Sequence, residues 1–412
     1  MSRTLRRRGV TILKGTLLPK RSPKDTDQTT QRTRGIRVRR VAVVTGTRAE
    51  YGLLRSLMES VSTHPRLSLQ LAVTGMHLLR KFGHTVDEII QDGWRVDARI
   101  KMQRGDDGSL DQADGLSRGV RGIAAFLERA KSDIVVVLGD RIEAMAGALA
   151  GATTGRLVAH IHGGDLAPGD FDDSFRHAIT KLAHLHLAAT DAARRRIIRM
   201  GECRDRVHVV GAPGLDRLIQ LLDGKRVRNP KSSQALVIQH ATGRTAERER
   251  RTMVAILRSV REAGLLPTVL CPNSDRGHRG ILDAIDVCRK REGDGRFRFV
   301  RSLPRDDYLK LLIGADVLIG NSSSGIIEAA TAGTPVVNIG RRQDGRQRSG
   351  RSVIEAAETL TSIRTALAHA LRKHPITGAP TVYGDGRAGG RIARLLAAVP
   401  LCERFRHKLN AY

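Results

Sequence analysis

The chain has 412 residues, with 71 Lys and Arg against 42 Asp and Glu and a formal net charge of +29. That length is enough for two or three domains with buried cores. The sequence contains no apolar run near the ~20 residues a membrane helix needs, which excludes a helical membrane-spanning class. Cys203, Cys271, Cys288 and Cys402 are scattered without paired spacing. This argues against a zinc ribbon or disulfide framework and implies a reducing, cytoplasmic setting.

Residues 1–40 hold 13 Lys and Arg against Asp25 and Asp27, about +11, which leaves about +18 (29 minus 11) for the rest. So basic a chain raises the possibility of a nucleic-acid partner. Aromatic residues are only 3%, however, and no RNP-type motif, zinc finger or repeat is present. An anionic small-molecule substrate is the better match. Residues 1–40 are Arg-, Ser- and Thr-rich, lack a secretory apolar region and read as a disordered extension outside the fold.

From Val41 onward, short β-branched runs alternate with amphipathic stretches. Val41–Thr45, Leu69–Val73, Ile134–Leu138, Leu157–Ile161 and His186–Ala189 read as strands, with Leu53–Ser62 and Gly119–Ala130 as helices among them. A charged linker is expected over Asp216–Arg228, closed by Asn229–Pro230. The pattern then restarts at Leu236–Gln239, Thr268–Leu270, Phe297–Val300, Val317–Ile319 and Pro335–Asn338. Continuous apolar strands separated by helices imply parallel sheets covered on both faces. The predicted fold class is therefore α/β with two Rossmann-like halves. Ligands bind such sheets beyond the carboxyl ends of the strands, which places the active site in the cleft between the halves.

The polar clusters fall just after the predicted strands. Thr45–Gly52 joins a glycine turn to Arg48, an arrangement that attracts an anion. Leu138–Glu143 sets Asp140 and Arg141 at the mouth of a buried strand, which is costly unless they pair or work. The pair could be structural, or Asp140 could cap the next helix. The densest cluster holds His160, His162, Asp165, Asp172, Asp173, Arg176, His177, His184 and His186. His160 and His162 flank one strand residue and are expected to point to the same side. The spacing lacks an HExxH-type metal signature, so no metal is expected. Asp165, Asp172 and Asp173 suit acid–base work instead, and His184 and His186 read as structural.

In the second half, Gly320–Glu328 follows a strand and opens a helix. Ser322, Ser323 and Gly325 let a diphosphate approach free amides, and Glu328 can accept from ribose hydroxyls. It is not a P-loop, since GxxxxGK[ST] is missing. His240, Asn273, Asp275 and Arg342 follow other strands of this half and converge on the same edge.

In this order, the stretches TGTRAEYG (45–52), VTGMHL (73–78), LGDRIEA (138–144), HIHGGD (160–165), DDSFRHAITKLAHLH (172–186), VGAPGLD (210–216), GNSSSGIIEA (320–329), NIGRRQDGR (338–346) and YGDG (383–386) resemble the hydrolysing UDP-N-acetylglucosamine 2-epimerases of sialic and related nonulosonic acid synthesis. The resemblance spans Val41 to the C-terminus. It implies a GT-B-type pair of Rossmann-like domains over 41–215 and 216–386. A C-terminal helix in 387–412 is expected to pack back on the first domain.

The implied reaction turns a UDP-2-acetamido sugar and water into UDP and the free 2-epimer, N-acetylmannosamine in the simplest case, through a glycal intermediate. No cofactor is implied, and a homodimer is the expected assembly. By motif position, Asp140, His162, Asp165, Asp172 and Asp173 are the implied catalytic set. Arg48, His240 and Arg342 would face phosphate, with Arg141 and Asp275 alongside. Ser322, Ser323, Gly325 and Glu328 would hold UDP, and Asn273 the uridine or ribose.

Relatives often carry glutamate where this chain has His162 or Asp165, and the division between acid and base stays open. The same reaction on a UDP-2,4-diacetamido-2,4,6-trideoxy sugar is an alternative substrate reading. A GT-B glycosyltransferase, a non-hydrolysing epimerase and a basic nucleic-acid-binding protein rank behind it.

Overall fold

The computed structural model describes residues 37–104, 109–166, 172–222, 233–273, 275–292, 297–301, 303–372 and 381–411. The basic stretch read over 1–40 lies outside them up to residue 36, as does the stretch 223–232.

The first sheet is built from β1 (Arg39–Thr45), β2 (Leu67–Thr74), β3 (Ala98–Ile100), β4 (Ile134–Leu138), β5 (Leu157–Ile161), β6 (Leu185–Ala188) and β7 (Val207–Val209). Its helices are α1 (Arg48–Ser62), α2 (Val86–Gln91), α3 (Ser109–Arg129), α4 (Ile142–Thr153), α5 (Asp172–Leu182) and α6 (Asp191–Arg199). Helix α7 (Gly214–Leu222) leads to the second sheet of β8 (Gln234–Ile238), β9 (Leu266–Leu270), β10 (Arg298–Val300), β11 (Val317–Gly320), β12 (Val336–Ile339) and β13 (Val353–Ala356). Its helices are α8 (Ala246–Glu262), α9 (His278–Glu292), α10 (Arg305–Gly314), α11 (Ser323–Ala332) and α12 (Leu360–Arg372); α13 (Ala388–Ala398) and α14 (Glu403–Arg406) end the chain.

All strand pairs are parallel. The orders are β3-β2-β1-β4-β5-β6-β7 and β10-β9-β8-β11-β12-β13. Each order reverses once, between β1 and β4 and between β8 and β11. Those reversals are the crevices where doubly wound sheets take ligands. Strands β4 and β5 are buried along their whole length, as expected when helices cover both faces.

One face of the first sheet packs on α1 and α13 through Leu54, Leu57, Met58, Ile392 and Leu396; the other packs on α3 and α4 through Ile123, Phe126, Leu127 and Ala146. In the second sheet Met253, Ile256, Ile281 and Ile363 cover one face, and Leu215, Leu309, Leu312 and Ile326 cover the other. Among the described residues no helix is long and apolar enough to cross a membrane.

Two expectations change. The predicted linker begins as helix: Asp216 sits in α7, buried, accepting from the N–H groups of Ala388 (3.0 Å) and Gly389 (2.7 Å) at the start of α13. An acidic N-terminal partner for α13 is favourable against its dipole. Strands β3, β7 and β13 were not foreseen. All three are edge strands carrying polar residues such as Arg99, His208 and Glu355, so they lack the continuous apolar run of a central strand.

Candidate active site

The carboxyl ends of both sheets open on a cavity of about 560 Å³. One wall carries Arg48, Asp140, Arg141, His162 and Asp172; the other carries His240, Asn273, Ser322, Ser323, Glu328 and Arg342. Asp165, Asp173, Asp275 and Gly325 do not border it.

On the first wall, Asp140 follows β4 and pairs with Arg176 of α5, so it neither caps α4 nor pairs with Arg141. Arg176 Nη1 also donates to the carbonyl of His162 over 2.9 Å. Asp172 opens α5. Burial, then the charge of Asp140, pushes its carboxyl up to about 7, against the pull of Arg342. Asp172 therefore holds its proton to a higher pH than an ordinary carboxyl does.

The expectation that His160 and His162 share one strand face is corrected. Strand β5 stops at Ile161, and His162 takes a left-handed φ of 61°, which turns it toward the cavity. His160 stays buried in the sheet with Nε2 2.8 Å from the Gly139 carbonyl. Behind His162, Asp165 Oδ2 lies 3.0 Å from its Nδ1. Burial opposes ionisation of Asp165, but the His162 hydrogen bond and charge, with Arg346 and Arg176, bring it down to about 2. Asp165 therefore orients His162, while Asp173 faces His177 at 3.6 Å. His184 accepts from the Val158 N–H over 3.1 Å, and His186 Nε2 lies 3.0 Å from Glu202.

The second wall is stitched by Asn321, whose Oδ1 accepts from the His240 N–H and whose Nδ2 donates to the His240 carbonyl, both at 2.8 Å. The two loops touch so closely that a Cβ on Gly320 would lie 1.9 Å from the Ile238 carbonyl oxygen, and φ there is 136°. Only glycine fits. Burial, then Arg342, lowers the His240 imidazole to about 3. It is therefore neutral at physiological pH and offers a hydrogen bond instead of a charge. Its Nδ1 accepts from the Asn273 N–H over 3.3 Å.

Ser322 caps α11, accepting from the Ser324 N–H, and points the helix N-terminus into the cavity region. Gly325 lies behind it, packed toward Val336 and Leu318. Arg342 reaches across to Asp172 at 3.8 Å and to Asp275 at 4.0 Å.

Several site residues were not singled out from sequence. Glu143, fully buried, accepts from Gln103 Nε2 (2.9 Å) and Arg141 Nε (3.3 Å). Glu50 accepts from the Gly46 N–H at 2.7 Å, and burial raises it to about 8. Arg305 pairs with Glu328, and Tyr308 hydrogen-bonds Ser324. Glutamates in the first turn of a helix read as ordinary dipole partners. The usable signal was their place directly after a buried strand. Among the described residues no group of three or more His, Cys, Asp or Glu is arranged to hold a metal ion.

The sequence profile of the UDP-N-acetylglucosamine 2-epimerase family matches residues 59–397. The chain belongs to that family. It is 35% identical over 382 residues, 91% of this chain and 100% of the relative, to the UDP-N,N'-diacetylbacillosamine 2-epimerase (hydrolyzing) of Legionella pneumophila. It is 33% identical to the UDP-N-acetylglucosamine 2-epimerase of Neisseria meningitidis serogroup B, covering 81% and 88% of the two chains. The fold is that of the UDP-GlcNAc 2-epimerase of Methanocaldococcus jannaschii, solved in complex with UDP-GlcNAc and UDP. There the TM-score is 0.70 at 16% identity, covering 87% of this chain and 99% of that one.

Proposed function

We propose that this 2-epimerase hydrolyses a UDP-2-acetamido sugar, releasing UDP and the free 2-epimer. The observation that carries the reading is Asp172, raised to about 7 beside Asp140 and opposite Arg342. A group titrating near neutrality can both take and return a proton.

The C2 proton of the sugar becomes removable as UDP departs and C1 turns cationic. Loss of that proton gives a glycal. Water then adds to C1, and a proton returns to C2 from the opposite face. Asp172 with Asp140, and His162 backed by Asp165, supply two proton-transferring centres for those faces. Arg48, Arg141 and Arg342, the neutral His240 and the amides at the start of α11 stabilise the departing diphosphate. Glu328 takes the ribose hydroxyls, and Asn273 the uridine or ribose.

The substrate class follows the relatives, one named for UDP-N,N'-diacetylbacillosamine and one for UDP-N-acetylglucosamine. A cytoplasmic location agrees with four cysteines that are all free thiols, and a homodimer is the proposed assembly. The test is UDP release from each sugar nucleotide with water as the only acceptor. Release that required an added sugar acceptor would instead indicate a glycosyltransferase.

A further inference from the structure

Arg305 is the first residue of α10, is only 8% exposed, and borders the cavity beside Glu328. Its Nη2 donates to the Gly214 carbonyl at the start of α7 over 2.9 Å and also to Glu328 Oε1 on α11. Its guanidinium lies 5.6 Å from the Tyr308 ring centroid. Its stem presses on α1, where a Cβ at Gly52 would come within 2.9 Å of Arg305 Cδ. The side chain thus joins its own helix, α10, to α1, α7 and α11. The buried Nε makes no hydrogen bond to any described residue. An unmade donor on a buried cation is costly, so stability alone does not explain the placement. What the arrangement does achieve is a fixed Glu328: Arg305 holds its carboxylate at the edge of the cavity that both residues border.

We infer that Arg305 is the positioning residue for ribose recognition: by holding Glu328, it makes the cavity discriminate a ribonucleotide from its 2′-deoxy analogue. The inference rests on the proposed UDP-sugar reading. In this assignment Arg305 acts through Glu328. A carboxylate free to rotate would still neutralise poorly placed donors, but it would lose the geometry that a hydroxyl pair selects. Arg305 reaches α1 from the first half as well as α7, α10 and α11, so the same contact ties ribose occupancy to the seam between the two halves.

The experiment is calorimetric binding of UDP and 2′-deoxy-UDP to the full chain and to Arg305→Lys and Arg305→Gln, each checked for an intact thermal transition. Wild type is expected to prefer UDP by about tenfold or more, the worth of a hydrogen bond to a charged group. Each folded variant is expected to bring that ratio below about threefold while leaving 2′-deoxy-UDP binding nearly unchanged. A merely structural role predicts that both nucleotides weaken together, and that result, or an unchanged ratio, would overturn the inference. A wild type that binds UDP without discrimination overturns the inference and leaves the UDP-sugar reading standing. A wild type that binds neither nucleotide overturns both.

Discussion

Arg141, just past β4 in the first sheet, donates from Nη1 to Asp275, just past β9 in the second, over 3.0 Å. The same guanidinium donates to the fully buried Glu143. It is therefore a brace across the cleft as well as a candidate phosphate ligand. Replacing it by Gln leaves Glu143 buried without its cation. The expected cost is about 3 kcal/mol, the low end for breaking a buried pair because Arg141 keeps 22% side-chain exposure. Urea denaturation measures it, and an unchanged midpoint would mean that Arg141 braces nothing.

The proposed proton-transfer role of Asp172 predicts a neutral limb in the pH profile. With its carboxyl raised to about 7, kcat/KM is expected to inflect near that pH. Asp172→Asn should remove the inflection and lower the rate by about 10²–10⁴-fold, the usual range for acid–base groups. Removing the neighbouring charge with Asp140→Asn lowers the Asp172 pKa, so the limb in the residual activity moves to lower pH. A limb that stays near 7 in Asp172→Asn assigns it to another group.

Glu50 makes the fold pH-sensitive. Burial raises its carboxyl from 4.5 to about 8, so the folded state binds a proton that the unfolded chain releases. The contribution is fully present below pH 4.5 and is lost as pH rises toward 8, with a slope of up to about 1.4 kcal/mol per pH unit. Glu50→Gln should flatten stability against pH across that window. A wild-type curve already flat between those limits would rule the buried proton out.

In the proposed mechanism His162 and Asp165 act as one unit. Their 3.0 Å contact predicts that Asp165→Asn slows turnover at least ~tenfold, and that adding it to His162→Gln costs little more. Independent, multiplying losses in the double variant would separate the two residues.

Much of the architecture was legible because central strands bury both faces. Ile134–Leu138 and Leu157–Ile161 were bounded to the residue, and of the site residues picked out just past such strands all but Asp165, Asp173, Asp275 and Gly325 border one cavity. The edge strands were not legible, since Arg99 or Glu355 in a short segment is indistinguishable from loop. Long-range partners were invisible for a different reason. Nothing local says that Asp140 will meet Arg176, 36 positions on, or that Glu328 will meet Arg305, 23 positions back. His162 was misplaced because period-two alternation assumes the strand continues, and the chain turns to positive φ at that residue. Glu50 and Glu143 were passed over because the helix dipole explains an acid in a first turn without requiring burial.

The central claim is hydrolysis with inversion at C2, and proton NMR in D2O tests it directly. Purified protein is incubated with UDP-N-acetylglucosamine and, separately, with UDP-2,4-diacetamido-2,4,6-trideoxyglucose. The account predicts UDP together with a free 2-epimer carrying deuterium at C2 from at least one of the two. A UDP-linked epimer, or no change with either sugar nucleotide, would contradict it.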